Sequence, residues 1–231
     1  MDGMIVPMSC QEEPFDLSDL PEFLGVGRCR PTENNYLSLT DAERALLGPR
    51  TSEKRKLEFA AGRIAAREAL EGLGVPPIEI LRGEGGEPRW PTGVVGSITH
   101  STGLAMAMAG RIEDTASVGL DLEQRRPVED IESLVAFGEE RRWVASTPTL
   151  RDDRLLEIFA AKEAVFKALY PRVGRHFGFE AVSLSRAAPR AFVATVVAED
   201  LLVMEIPAII EVPVRWAAGM VLAWAVLPGA R

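Results

Sequence analysis

The segment that most constrains this chain is Leu155–Leu169, LLEIFAAKEAVFKAL, in which only Glu157, Lys162, Glu163 and Lys167 ionise. On a helical wheel Leu155, Ile158, Phe159, Val165, Phe166 and Leu169 form one apolar arc, with Lys162 projecting from its middle. Ala160, Ala161, Ala164 and Ala168 cover much of the opposite side. A helix with so little polar surface is packed on more than one side, so its charges cannot all be solvated. Two readings of those charges stand side by side. Glu163 and Lys167 form an i,i+4 pair worth about 0.2–0.5 kcal/mol while Lys162 snorkels to water. Alternatively, the charges belong to a functional site.

A second segment bears on that choice. In Val118–Glu123, VGLDLE, side chains alternate across an expected strand, so Val118, Leu120 and Leu122 share one face and Gly119, Asp121 and Glu123 the other. With a rise of about 3.4 Å per residue, the two acids stand about 7 Å apart at their Cα atoms. Either this acidic face lies in water, or it meets a cation. Hard carboxylate oxygens without histidine or thiolate suit magnesium. Glu163 would complete such a set, and Lys162 and Lys167 would meet phosphate oxygens.

Elsewhere helix and strand signals are mixed. Thr40 with Glu43 has capping-box spacing, and a helix is expected from about Ser52 to Leu73, with Arg55, Arg63 and Arg67 among its apolar residues. A turn-rich stretch, RGEGGEPRWPTG, leads into a hairpin of VVGSITH and LAMAMAG. The segments AFVATVVAED, LLVMEI and VRWAAGMVLAWAVLP read as three largely antiparallel strands, and residues before Ser38 read as irregular. Strict βαβ alternation is missing, so the expected class is α+β, with two similar subdomains, 1–111 and 112–231.

His100 ends GSITH among Gly96, Ser97, Thr99 and Ser101, either as a hydrogen-bonded structural residue or as a ligand beside small, hydroxyl-bearing neighbours. Arg55 and Arg63 lie about 12 Å apart along one helix and could hold a phosphate between them and Arg82, or simply be solvated. The GEGG stretch lacks the GK[ST] of a P-loop and the strand-to-helix frame of a dinucleotide fingerprint. Cys10 and Cys29 lack metal-ligand spacing and are expected to be reduced thiols. Lys plus Arg number 26 against 34 Asp plus Glu, a net charge of −8 without a basic tract, which disfavours nonspecific nucleic-acid binding. The N-terminal sequence lacks a basic n-region, and Trp216–Leu227 falls short of the ~20 residues needed to span a bilayer. A cytoplasmic protein without a membrane or nucleic-acid partner is the expectation.

Taken together, WPTGVVGSITHS, VGLDLE and FAAKEAVFKAL, with KRKLEFAAGRIAAR, GGEPRWPTG and His176–Glu180, resemble the 4′-phosphopantetheinyl transferases of the Sfp-like type. The subgroup with the enterobactin-synthase and actinobacterial enzymes is the nearest in pattern. The resemblance runs from about residue 40 to the end. It implies the 4′-phosphopantetheinyl transferase-like fold, two α/β subdomains related by a pseudo-twofold axis, with coenzyme A in the cleft between them. It implies transfer of phosphopantetheine to a serine of an apo acyl or peptidyl carrier protein, releasing adenosine 3′,5′-bisphosphate, by a monomer.

The resemblance also implies site residues. Asp121, Glu123 and Glu163 would hold Mg2+, with Mn2+ as a substitute. Arg55, Arg63, Arg82, Ser97 and His100 would contact coenzyme A, as would Lys162 and Lys167. Lys162 would neutralise the diphosphate or support its helix, Lys167 would meet the leaving phosphate, and Glu163, directly or through water, would be the base. The family often has serine where Thr99 stands and isoleucine where Leu122 stands. Two other functions use parts of the same set: a coenzyme A- or nucleotide-binding module without transferase activity, and a magnesium-dependent phosphohydrolase.

Overall fold

The computed structural model describes residues 14–101, 103–129, 131–204 and 206–229. Cys10 and most of the N-terminal segment read for a targeting signal lie outside the described residues. The first half of the chain runs β1 (Leu24–Cys29), α1 (Glu33–Leu37), α2 (Asp41–Ala45), α3 (Glu53–Gly72), β2 (Leu81–Arg82), β3 (Pro88–Arg89), β4 (Val94–Ser101) and β5 (Leu104–Arg111). The second runs β6 (Thr115–Gln124), α4 (Glu132–Val135), α5 (Glu139–Ala145), α6 (Arg151–Val173), β7 (Val182–Ala188), β8 (Ala191–Val196), α7 (Glu199–Leu202), β9 (Ile209–Ala217) and β10 (Met220–Pro228). No helix among the described residues is long and apolar enough to cross a membrane.

The two halves repeat one plan. Strand β1 pairs antiparallel with β5, the last strand of its half, and β5 pairs with β4. Likewise β6 pairs antiparallel with β10, the last strand of its half, and β10 pairs with β9, while β8 and β7 extend that sheet. Each half lays one long helix across its sheet. We propose that the halves are subdomains divided at the turn between Arg111 and Thr115.

Alternation along β5 builds two core layers. Ala105, Ala107 and Ala109 pack with Ala65, Ala69 and Leu70 of α3. Leu104, Met106 and Met108 face the other way and meet Val118, Leu120 and Leu122 of β6 with Leu222 and Trp224 of β10. The apolar face of β6 is therefore spent on the layer between the sheets, and its Gly119–Asp121 face turns to α6. Contact there is close. A Cβ on Gly119 would clash with the Ala164 carbonyl and come within 2.6 Å of the Ala168 nitrogen. The first half does the same at Gly27, which abuts the Ala65 carbonyl of α3.

Three readings of the sequence need correction. The stretch before Ser38 contains β1, whose glycines weaken the strand signal but let α3 approach. LLVMEI is not a strand: its start closes the short helix α7, and a further strand, β7, precedes AFVATV. VRWAAGMVLAWAVLP is two strands, joined by a two-residue hairpin at Ala218 and Gly219, with φ of 48° and 73°. Alanine is a poor signal for that turn, because side chains with a Cβ rarely adopt positive φ.

The expected cost of crowding the β6–α6 contact is testable. Gly119→Ala should lower stability by about 1–3 kcal/mol, since the neighbour is backbone and cannot rotate away. A thermal melt checks it; an unchanged midpoint would mean that α6 does not rest on Gly119.

Candidate active site

Helix α3 is capped at its N-terminus by Ser52, whose hydroxyl accepts from the Arg55 backbone N–H. The following turns project Arg55, Glu58, Phe59 and Arg63 toward β2 and the end of β4. There Arg55, Arg63, Arg82 and His100 surround a cavity of about 150 Å³. Arg63 is 6% exposed, stacks 4.2 Å from the Phe59 ring centroid and keeps a buried Nε without a partner. Arg82 lies 5.3 Å from the same ring. Burial pulls the Arg63 guanidinium down to about 10, with Arg82, Arg67 and Arg55 adding to the fall and Glu43 opposing it. Arg55 Nη1 donates to His100 Nε2, which therefore acts as the acceptor of a neutral ring. Burial first, then Arg55, push the His100 pKa below its usual value. Three guanidiniums against the single carboxylate of Glu58 leave the lining of this small cavity net cationic. The structure thus brings together Arg55, Arg63, Arg82 and His100 as the sequence reading grouped them.

This pocket shares Gly86, Pro88 and Ile98 with a cavity of about 900 Å³ between the halves. One wall carries Trp90, Gly96 and Ser97, the other Phe166, Lys167 and Tyr170 of α6. The GEGG turn is seated here: a Cβ on Gly85 would run into the Tyr170 hydroxyl. Ser97 lines this cavity and not the arginine pocket, and its hydroxyl accepts from Leu120 N–H at 3.1 Å. Sequence reasoning missed Trp90 and Tyr170 and gave Phe166 to the core. An apolar face packed on protein and one lining a cavity have the same periodicity.

The acids lie deeper. Asp121 is 5% exposed, so an acidic face in water is excluded at that position. Its Oδ1 accepts from Lys167 Nζ at 2.6 Å and from the Thr99 hydroxyl at 3.3 Å, while its buried Oδ2 has no partner. Lys167 also donates to the Leu120 carbonyl at 3.0 Å, so its ammonium reaches across to β6. Burial raises the pKa of Glu123 and of Glu163, and the charge of Asp121 raises both further; Lys167 opposes at each.

This excess of negative charge, with an orphaned carboxylate oxygen, fits a hard divalent cation chemically. Among the described residues, no three His, Cys, Asp or Glu side chains are gathered as a formed metal site. In this arrangement Lys167 neutralises Asp121.

The reading of Lys162 needs correction. Its side chain is 1% exposed and neither snorkels nor faces the cavity. The ammonium donates to Glu140 Oε2 at 2.8 Å and to the Phe179 carbonyl at 3.1 Å. Glu140 in turn accepts from the Leu184 and Phe137 backbone N–H groups at 2.7 Å each. Such a closed network offers nothing to a phosphate. It ties α6 to α5 and β7, which is the helix-supporting role and not the diphosphate one.

A cationic pocket that runs into a larger cavity lined by Lys167, whose ammonium meets the buried Asp121, has the chemistry of a site for an anionic, extended ligand. The sequence comparisons narrow the class. A model of the 4′-phosphopantetheinyl transferase N-terminal domain matches residues 42–110, and one of the 4′-phosphopantetheinyl transferase superfamily matches 117–204. The chain is 43% identical over 166 residues to 4′-phosphopantetheinyl transferase Svp of Streptomyces mobaraensis, covering 67% of each chain. It is 40% identical over 170 residues to 4′-phosphopantetheinyl transferase Npt of Nocardia iowensis, covering 73% of this chain and 69% of that one. Against enterobactin synthase component D of Salmonella typhi it is 34% identical over 123 residues, 52% of this chain and 50% of that one. The chain belongs to the 4′-phosphopantetheinyl transferase superfamily.

Two outcomes follow from the buried charges. Lys162→Ala should destabilise the fold by about 3–5 kcal/mol, because Glu140 is left buried and unpaired. Chemical denaturation reads this, and a loss below ~1 kcal/mol would return Lys162 to the cleft. The second outcome concerns pH. Glu163 and Glu123 have folded pKa values above the usual 4.5, so their contribution to stability is present below that value and lost as pH rises through the folded values. In chelator, the melting temperature of Glu163→Gln should therefore gain on that of the wild type as pH climbs from about 4.5 to neutrality. A constant difference would contradict the raised pKa.

Proposed function

We propose that this protein transfers 4′-phosphopantetheine from coenzyme A to a serine hydroxyl of an apo carrier protein, giving the holo carrier and adenosine 3′,5′-bisphosphate. The observation that carries this reading is the continuity between the arginine pocket and the Lys167-lined cavity. A 3′-phosphate held by Arg55, Arg63, Arg82 and His100 anchors the substrate away from the reacting bond, by charge-assisted hydrogen bonds. The rest of coenzyme A then extends into the space between the halves, past Ser97.

Phosphoryl transfer to an alcohol asks for charge neutralisation, in-line placement and a base. Lys167 meets the leaving phosphate and can hand it a proton. Glu163, made more basic by burial and by Asp121, takes the serine proton directly or through a water. Asp121, Glu123 and Glu163 would hold Mg2+ or Mn2+, which when bound would supply charge neutralisation at the diphosphate. The carrier approaches as a second acidic protein, so apolar contact and a few local arginines, not net charge, govern docking to a monomeric, cytoplasmic enzyme.

The decisive experiment incubates the protein with coenzyme A, magnesium and an apo carrier, then weighs the carrier. A gain of one phosphopantetheine supports transfer; binding alone, or phosphate release without transfer, favours the module or the phosphohydrolase. Arg55→Ala should raise KM for coenzyme A at least about tenfold and leave KM for 3′-dephospho-coenzyme A nearly unchanged, as expected from losing one charged hydrogen bond. Equal effects on both substrates would move the 3′-phosphate out of this pocket.

A further inference from the structure

The joint between the halves runs along β4 and β6, and it is made by side chains. Leu120 N–H donates to the Ser97 hydroxyl and Leu122 N–H to the Thr99 hydroxyl, each at 3.1 Å. These two bonds look equivalent, but what lies beyond them differs. The Thr99 oxygen, having accepted the Leu122 N–H, keeps one proton to give, and Asp121 Oδ1 receives it. Thr99 is 5% exposed, so water does not compete freely for that proton. On the same oxygen sits Lys167 of α6. Donors from two different elements thus engage Oδ1, and Oδ2, buried and without a partner, is the oxygen left over.

We infer that Thr99 is a positioning residue for Asp121: its hydroxyl, held in the joint by Leu122 N–H, fixes Oδ1 and leaves Oδ2 as the oxygen offered to a divalent cation. This rests on the reading of Asp121 as a metal-binding carboxylate. It ties the metal carboxylate of the second half to the strand whose next residue, His100, lines the anion pocket of the first. Groups that orient a metal ligand typically matter about 10–100-fold in metal affinity or activity.

The test is a titration of the coenzyme A-free protein with Mn2+, followed by electron paramagnetic resonance, beside a thermal melt and steady-state kinetics. Thr99→Val should weaken Mn2+ binding by about 10–100-fold and lower kcat with little change in KM for coenzyme A. Thr99→Ser keeps the hydroxyl and should restore Mn2+ affinity to within about threefold of wild type. Ser97→Ala removes the neighbouring bond of the same joint; it should depress the melting temperature as Thr99→Val does, yet hold Mn2+ affinity within about threefold. Should Thr99→Val not fold, Thr99→Ala is titrated in its place.

A wild type that binds no Mn2+ and turns over without divalent cations overturns the metal reading, and this inference with it. Wild-type binding matched by Thr99→Val overturns the positioning role alone. Equal weakening by Ser97→Ala and Thr99→Val does the same, by reducing Thr99 to part of the joint.

Discussion

The arrangement depends on how strand β6 is used on all its sides. One edge pairs with β10; the other is capped by the hydroxyls of Ser97 and Thr99. One face fills the layer between the sheets, and the other receives α6 at Gly119 and Lys167 at Asp121. A buried edge N–H without a partner is costly, so the two hydroxyls do more than decorate the joint. They let two sheets lie side by side without a backbone ladder between them. Every charged group of the site is placed relative to this strand or to the helices laid over the two sheets.

That arrangement divides the chemistry between the halves. The first builds the cationic pocket from one face of α3, with Phe59 as the ring on which Arg63 and Arg82 both lie. The second builds the acidic centre from β6 and α6. Charge is uneven at both: guanidiniums crowd around a small cavity in one, and in the other burial, with the charge of Asp121, holds the pKa values of Glu123 and Glu163 up against Lys167. An anionic group would offset the first imbalance, whereas the second calls for positive charge, part of which Lys167 supplies. The cavity between the halves, walled by Trp90, Phe166 and Tyr170, supplies the room for an extended ligand.

Lys162 and Lys167 illustrate how one helix serves structure and site together. Both belong to α6, yet they point into different surroundings. Lys162 closes a network with Glu140, whose remaining oxygen capacity is taken by backbone N–H groups. Lys167 stays partly exposed at the cavity and bonds an aspartate that retains a free oxygen. The burial of the first steadies the helix that presents the second.

Much of this was legible in the sequence. Periodicity alone placed α3, α6, the β4–β5 hairpin and the alternating faces of β6, because apolar spacing reports which side of an element is covered. Spacing along α3 grouped Arg55 and Arg63, and the scarcity of polar surface on α6 required packing on several sides. The motifs carried the family. What spacing could not carry was the partner across space. Whether Lys167 turns to Glu163 or Asp121, whether Lys162 meets phosphate or Glu140, and whether the Gly119–Asp121 face meets water or a helix are all decided by residues distant in the chain. Ala218 at positive φ and the glycines of β1 escaped for the same cause: each accepts a local penalty that only packing elsewhere offsets. The sequence by itself determined which faces are apolar and which charges must be compensated. Tertiary structure decided which groups compensate them, because ion pairs and hydrogen bonds act over a few ångströms between side chains that the chain order leaves far apart.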